Sequence, residues 1–144
     1  MESFDANQCV FIDNGCKKVA KQIKQKFNKG NITDADKLHE VLSCAAVLEN
    51  ISYAGTVLCF VGGIKANEYK NTEKKDELDG FIYFPSKNPN QEYAIIIEAK
   101  NYKNGEKDAV NQLSNTTQYL SDSLEESIVS LKKCAYMKLS VKEI

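Results

Sequence analysis

The 144-residue sequence has one histidine, His39, and no cysteines spaced C-x-x-C. The common structural zinc sites need four Cys or His ligands at short repeated spacings, so none is expected. The five cysteines, Cys9, Cys16, Cys44, Cys59 and Cys134, are odd in number and scattered. Cys44 and Cys59 fall inside apolar runs, where a free thiol behaves as a small hydrophobe. That usage fits a reducing compartment better than a disulfide framework. No apolar run approaches the roughly 18 residues of a membrane span. The acidic start, Met1-Glu2-Ser3-Phe4-Asp5, lacks the apolar stretch of a secretory leader. A soluble, cytoplasmic chain with no membrane contact is therefore expected. Basic excess is missing too: net charge is −1 and the pI about 5.9. Non-specific nucleic-acid binding by the whole surface is disfavoured, although a local basic stripe is not. There is no internal repeat and no low-complexity tract.

What is present is an ordinary globular composition, 42% hydrophobic and 27% charged. The length suits one domain, 1–144, able to bury roughly two thirds of its unfolded surface. Residues 1–32 read as an N-terminal helical extension and 33–141 as the core. Periodicity is weak to about Asp13. Cys16, Val19, Ile23 and Phe27 then recur at spacings of three and four, predicting a helix over 14–28 with lysines around its apolar stripe. Gly30 ends that segment. A second helix is expected over 34–50, capped by Thr33 or Asp34, with Leu38, Val41, Leu42, Ala45, Leu48 and Ile51 on its apolar face. Thr56 to Val61 reads as a buried strand ended by Gly62-Gly63, followed by a polar loop over 65–76. Strands are predicted over 77–84 and 93–100, joined by the turn chemistry of Pro85 to Asn90. A helix over about 108–120 follows, with a helical stretch through Leu131 and a last strand over 134–141.

Taken as an antiparallel hairpin, 77–84 and 93–100 pair residues whose numbers sum to 177. Asp79 then faces Glu98, with Cβ atoms about 4.5–5.5 Å apart. Alternation puts Lys100 on the face of Glu98 and Glu77 on the face of Asp79. That face continues as Phe81 and Tyr83 with Ala94 and Ile96. The other would carry Leu78, Gly80, Ile82 and Phe84 with Tyr93, Ile95, Ile97 and Ala99. Both faces are apolar away from the carboxylates, which predicts a sheet covered on both sides. Opposed like charges in such a place need a counter-ion, and clustered carboxylate oxygens suit Mg²⁺.

Asp79-Gly80 followed by Ile97-Glu98-Ala99-Lys100 resembles the PD-(D/E)XK nuclease superfamily, which includes many restriction endonucleases and Holliday-junction resolvases. The resemblance implies an α/β fold, a mixed central β-sheet flanked by helices, with a restriction-endonuclease-like α-β-β-β-α-β core. The element order from Thr33 to Val141 agrees with it. Leu78 stands where the motif writes proline. The resemblance further implies that Asp79 and Glu98 hold Mg²⁺, with Mn²⁺ as a substitute and the Ala99 carbonyl able to join. Lys100 would orient the attacking water or stabilise charge on the phosphate. Family members often have an acidic residue on the first core helix, for which Glu40 is the candidate and Glu49 the reserve. Some branches have a glutamine one helix after the lysine, here Gln112. The implied activity is metal-dependent phosphodiester hydrolysis, on DNA in preference to RNA, with a homodimer or larger assembly supplying substrate grip.

Plainer readings stand beside these. Glu98 and Lys100 also suit a surface ion pair at a strand end, and Asp79 a turn acid. Glu40 and Gln112 suit solvated helix faces, Glu77 a solvated acid and His39 a helix surface. The lysines over 17–29 are either a solvated face or a nucleic-acid stripe. The fold would also serve a catalytically silent domain that binds nucleic acid or protein.

Overall fold

The chain enters the sheet earlier than its periodicity suggests. The structure is a computed structural model that describes residues 8–28, 30, 34–65, 77–86, 91–99, 105–122 and 129–137. Strand β1 (Cys9–Asn14) pairs antiparallel with β2 (Thr56–Lys65), from Cys9 opposite Val61 to Asn14 opposite Thr56. Its six residues are too few for alternation to show in the sequence, and pairing with β2 decides their conformation. Gly15, at φ 116°, turns the chain from β1 into α1 (Cys16–Lys26), a conformation that suits glycine. The N–H groups of Gly15 and Cys16 donate to the carbonyls of Gly55 (2.8 Å) and Tyr53 (3.0 Å). Cys16, Val19, Ala20 and Ile23 are the buried residues of α1.

Helix α2 (Ala35–Glu49) starts at Asp34, whose carboxylate accepts from the N–H groups of Asp36 (2.9 Å) and Lys37 (3.2 Å). This cap satisfies two of the four free N–H groups at the helix start. Leu38, Val41, Cys44, Ala45 and Leu48 are its buried stripe. Burial of a leucine such as Leu48 contributes roughly 1.5–3 kcal/mol.

Strand β3 (Glu77–Phe84) pairs antiparallel with β2 on one side and with β4 (Tyr93–Ile97) on the other. The sheet order is β1-β2-β3-β4, and every described pairing is antiparallel. The mixed sheet expected from the sequence depended on a last strand over 134–141. Residues 129–137 are instead helical, with Leu131 and Ala135 buried one turn apart, while 138–144 lie outside the described residues. A short apolar run such as Cys134 to Met137 fits either period, and burial of the i, i+4 pair selects the helix. Helix α3 (Gly105–Asp122) begins three residues before the expected Asp108, with Glu106 and Asp108 in its positive first turn. Residues 129–137 are α4. The described residues thus combine a four-stranded antiparallel sheet with four helices. No helix among the described residues is long and apolar enough to cross a membrane.

Both faces of the sheet are covered. One packs Val57, Cys59, Val61, Ile82, Phe84 and Ile97 against α1 and α2. The other packs Leu58, Phe60, Ile64, Phe81 and Tyr83 with Leu131 and Ala135 of α4. Leu78 belongs to this second cluster, not to the first with Gly80, Ile82 and Phe84 as strict alternation requires. The cause lies in β2, which does not stop at Gly62-Gly63 but continues through them to Lys65. The register steps from Val61 opposite Gly80 to Ile64 opposite Leu78. Two β2 residues, the glycines, therefore oppose one β3 residue, Asp79. Both have positive φ (102° and 82°), which makes this a glycine β-bulge.

Candidate functional site

Asp79 is the one buried charged side chain among the described residues, at 5% exposure. Three features of the local chain position it. The bulge lies directly across β2 from it, and the Gly63 carbonyl there is held by the Gln8 side-chain amide at 2.6 Å. On the other side, β3 pairs with β4 from Phe84–Tyr93 to Gly80–Ile97. These are the pairs summing to 177, the register that would put Asp79 opposite Glu98 if it continued. Ladder pairing stops at Ile97, three residues short of the expected strand end at Lys100. There the Asp79 carboxylate replaces the next ladder bond: the Ala99 backbone N–H donates to Asp79 Oδ2 at 2.7 Å. A hydrogen bond to a carboxylate is about twice as strong as a neutral one. Asp79 is thereby tied to the segment that carries Glu98.

Glu98 is half-buried, yet both of its carboxylate oxygens are out of contact with solvent. Ala99 is half-buried as well. Lys100 lies outside the described residues, as does the side chain of Glu77 at the start of β3.

The third positioning feature is Cys44, which the sequence reading treated only as a core thiol. Its Sγ lies 3.8 Å from the Asp79 carbonyl oxygen and 3.5 Å from the Glu40 carbonyl oxygen. A Cβ built on Gly80 would run into the same sulfur. Helix α2 therefore sits on the sheet at Asp79-Gly80, with Glu40 one turn before the contact. Glu40 is half-buried, its Oε2 is out of solvent, and Lys37 Nζ approaches that oxygen at 3.7 Å. The reserve candidate, Glu49, is excluded from this end. It forms an ion pair with Lys24 of α1, about 13 Å further along α2 at 1.5 Å per residue. Gln112 is half-buried on α3, and His39 is half-buried on α2.

No group of three or more His, Cys, Asp and Glu side chains converges into a metal-binding cluster among the described residues. The carboxylates that the fold brings to neighbouring chain segments are those of Asp79 and Glu98. Two buried thiols are held in the protonated form: a hydrogen bond with Cys44, and then burial, push the Cys59 thiol well above its usual range. Burial also pushes the Cys16 thiol up. A protonated thiol is unreactive.

No known protein family, curated protein or solved structure matches this chain.

The bulge and the Cys44 contact escaped the sequence reading. A glycine doublet reads as a strand end until the partner strand is known. The signal for close packing was in Asp79-Gly80, a glycine with no turn to make.

Proposed function

We propose that the protein is a metal-dependent nuclease that hydrolyses phosphodiester bonds in nucleic acid, DNA in preference to RNA. The observation carrying this reading is the buried Asp79 carboxylate, which accepts the N–H of Ala99, the residue after Glu98, whose own carboxylate oxygens are out of solvent. Carboxylates withdrawn from water are costly to keep ionised, and a hard divalent cation with oxygen ligands is one way to offset that cost. The donor set fits Mg²⁺, or Mn²⁺ in its place: Asp79 and Glu98 would hold it, with the Ala99 carbonyl and Glu40 as further oxygen donors. Bound there, the cation's contribution is to polarise the scissile phosphate and acidify the attacking water.

The chain's own residues supply the rest. The Ala99 N–H holds the Asp79 carboxylate in place through Oδ2. Lys100, two residues beyond Glu98, would donate hydrogen bonds to the phosphate or the water, since an ammonium is a donor and not a metal ligand. Gln112 would support the site from α3. A homodimer or a larger assembly would add substrate grip to so small a domain.

A second reading is favoured by the absence of a three-ligand cluster among the described residues. In it the domain keeps a nuclease-like arrangement and binds nucleic acid or protein without turnover. A cleavage panel separates the two: labelled single- and double-stranded DNA and RNA, with Mg²⁺, Mn²⁺ or EDTA. Metal-dependent cleavage that disappears in Asp79→Asn supports the nuclease. Intact substrates in every wild-type lane refute it.

A further inference from the structure

The charge of this chain is unevenly placed. Helix α1 carries five of its nineteen basic residues, Lys17, Lys18, Lys21, Lys24 and Lys26, and none of its twenty acidic ones. With a net charge of −1 overall, the rest of the chain is at −6. All five lysines are exposed.

Lys24 and Lys26 suit the last turn, but the placement of the other three works against the helix. Lys17 and Lys18 stand in the first turn, where the helix dipole favours acids, and that turn contains none. Lys17 and Lys21 are a like-charge i, i+4 pair, which destabilises a helix by a few tenths of a kcal/mol. Lys24 is neutralised in part by Glu49. Lys17, Lys18 and Lys21 have no ion-pair partner among the described residues. Lys17, Lys21 and Lys24, on successive turns, line an open groove of about 440 Å³ with Gln25 and Glu49. A self-repelling row on the rim of a groove suits a ligand that brings a row of negative charges.

The chain contains no arginine. Lysine meets a phosphate as a compact point charge, whereas arginine supplies the planar fork of bidentate recognition. A grip made of lysines alone therefore suits a repeating phosphodiester backbone more than particular base edges.

We infer that the lysine face and groove of α1 grip the phosphate backbone of nucleic acid without regard to base sequence. The choice of nucleic acid over another polyanion rests on the nuclease reading. The grip is measured without metal, so its failure and the failure of that reading are separate results. The groove shares α2 with the candidate site. The roughly 13 Å from Glu49 to Glu40 corresponds to about four nucleotides at 3.4 Å per step.

The test is fluorescence anisotropy in EDTA across a KCl series. The probes are labelled single- and double-stranded DNA, each in two unrelated sequences. Wild type should bind both sequences alike, with affinity falling linearly in log salt. Lys17→Gln/Lys21→Gln should bind about tenfold more weakly and lower the magnitude of the salt slope by about two. The control Lys133→Gln, an exposed lysine of α4, should match wild type. Circular dichroism should show the double variant folded, since removing first-turn repulsion favours the helix. Equal affinity and slope in wild type and Lys17→Gln/Lys21→Gln overturn the grip. So does a strong preference for one sequence, or binding to phosphatidylserine vesicles with none to DNA. If wild type binds but cleaves under no condition, the grip stands and the nuclease reading falls.

Discussion

The sulfur of Cys44 fills the place that a Cβ on residue 80 would take, so β3 accepts only glycine beneath α2. Over-packing at such a contact costs about 1–3 kcal/mol. Gly80→Ala should lower stability by that amount in urea melts. Cys44→Ala should remove the obstacle, so the double variant should be more stable than the sum of the single losses allows. Strict additivity would show that Cys44 does not set the spacing of α2 over the sheet.

Asp79 bears on both stability and metal response, and two substitutions separate them. Asp79→Asn keeps an oxygen for the Ala99 N–H and removes the charge. Asp79→Ala leaves that N–H without its acceptor, at a cost of about 1–3 kcal/mol. In EDTA the Asn variant should melt no lower than wild type, and the Ala variant should melt lower. Added Mg²⁺ should raise the melting temperature of wild type by mass action and do little for either variant. Cleavage by the Asn variant should fall at least about a hundredfold, the loss of several kcal/mol of charge stabilisation. Equal Mg²⁺ shifts in all three proteins would remove Asp79 from the site.

The hairpin that ties Asp79 to the segment carrying Glu98 was legible because three local signals agreed. Turn residues lie between two β-branched and aromatic runs, and both runs alternate consistently about one centre. The observed register from Phe84–Tyr93 to Gly80–Ile97 is the one those signals fix. What failed to show were features that need a partner. β1 is a strand because β2 lies beside it. Gly62-Gly63 is a bulge, and not an end, because Asp79 faces it. Leu78 leaves the face of Gly80 because of that bulge. The sequence reading placed Lys100 in the same constellation; it lies outside the described residues.

For Lys100 the expectation is chemical. Lys100→Ala should reduce cleavage by about a hundredfold or more, the scale of losing one donor aimed at developing charge. Metal-induced stabilisation should survive, because the ligands remain. Full activity in a preparation free of contaminating nuclease would end this role.

The opposite face of the sheet predicts a pH dependence unrelated to the site. Lys132 of α4 lies 3.4 Å from Glu92 and 4.7 Å over the Tyr83 ring. A hydrogen bond from Tyr83, and then Lys132, hold the Glu92 carboxyl below its ordinary 4.5. Its contribution is therefore present above pH 4.5 and lost as pH falls through the lowered value. The hydrogen bond with Tyr83 raises Lys132 above its ordinary 10.5, so that contribution is present below pH 10.5 and lost as pH rises beyond it. Burial raises the Tyr83 hydroxyl above its ordinary 10.0. Docking of α4 should be insensitive to these groups between about pH 5 and 10 and weaken on either side. Glu92→Gln should flatten the acid limb of a melting-temperature profile while leaving the alkaline limb. An unchanged acid limb would mean that other carboxylates govern it.

Strand order across the sheet, β1-β2-β3-β4, is also the order in which the strands leave the ribosome. Each new strand meets a neighbour already in place, and only the β1–β2 connection must wait for a long loop, the two helices, to close. The Ala99 amide that secures Asp79 belongs to the last arrival. A nascent chain halted before residue 93 would present Asp79 paired to β2 on one side and without β4 on the other. Asp79 therefore gains its Ala99 hydrogen bond only once β4 has joined the sheet, so chains that lack β4 hold its carboxylate less firmly.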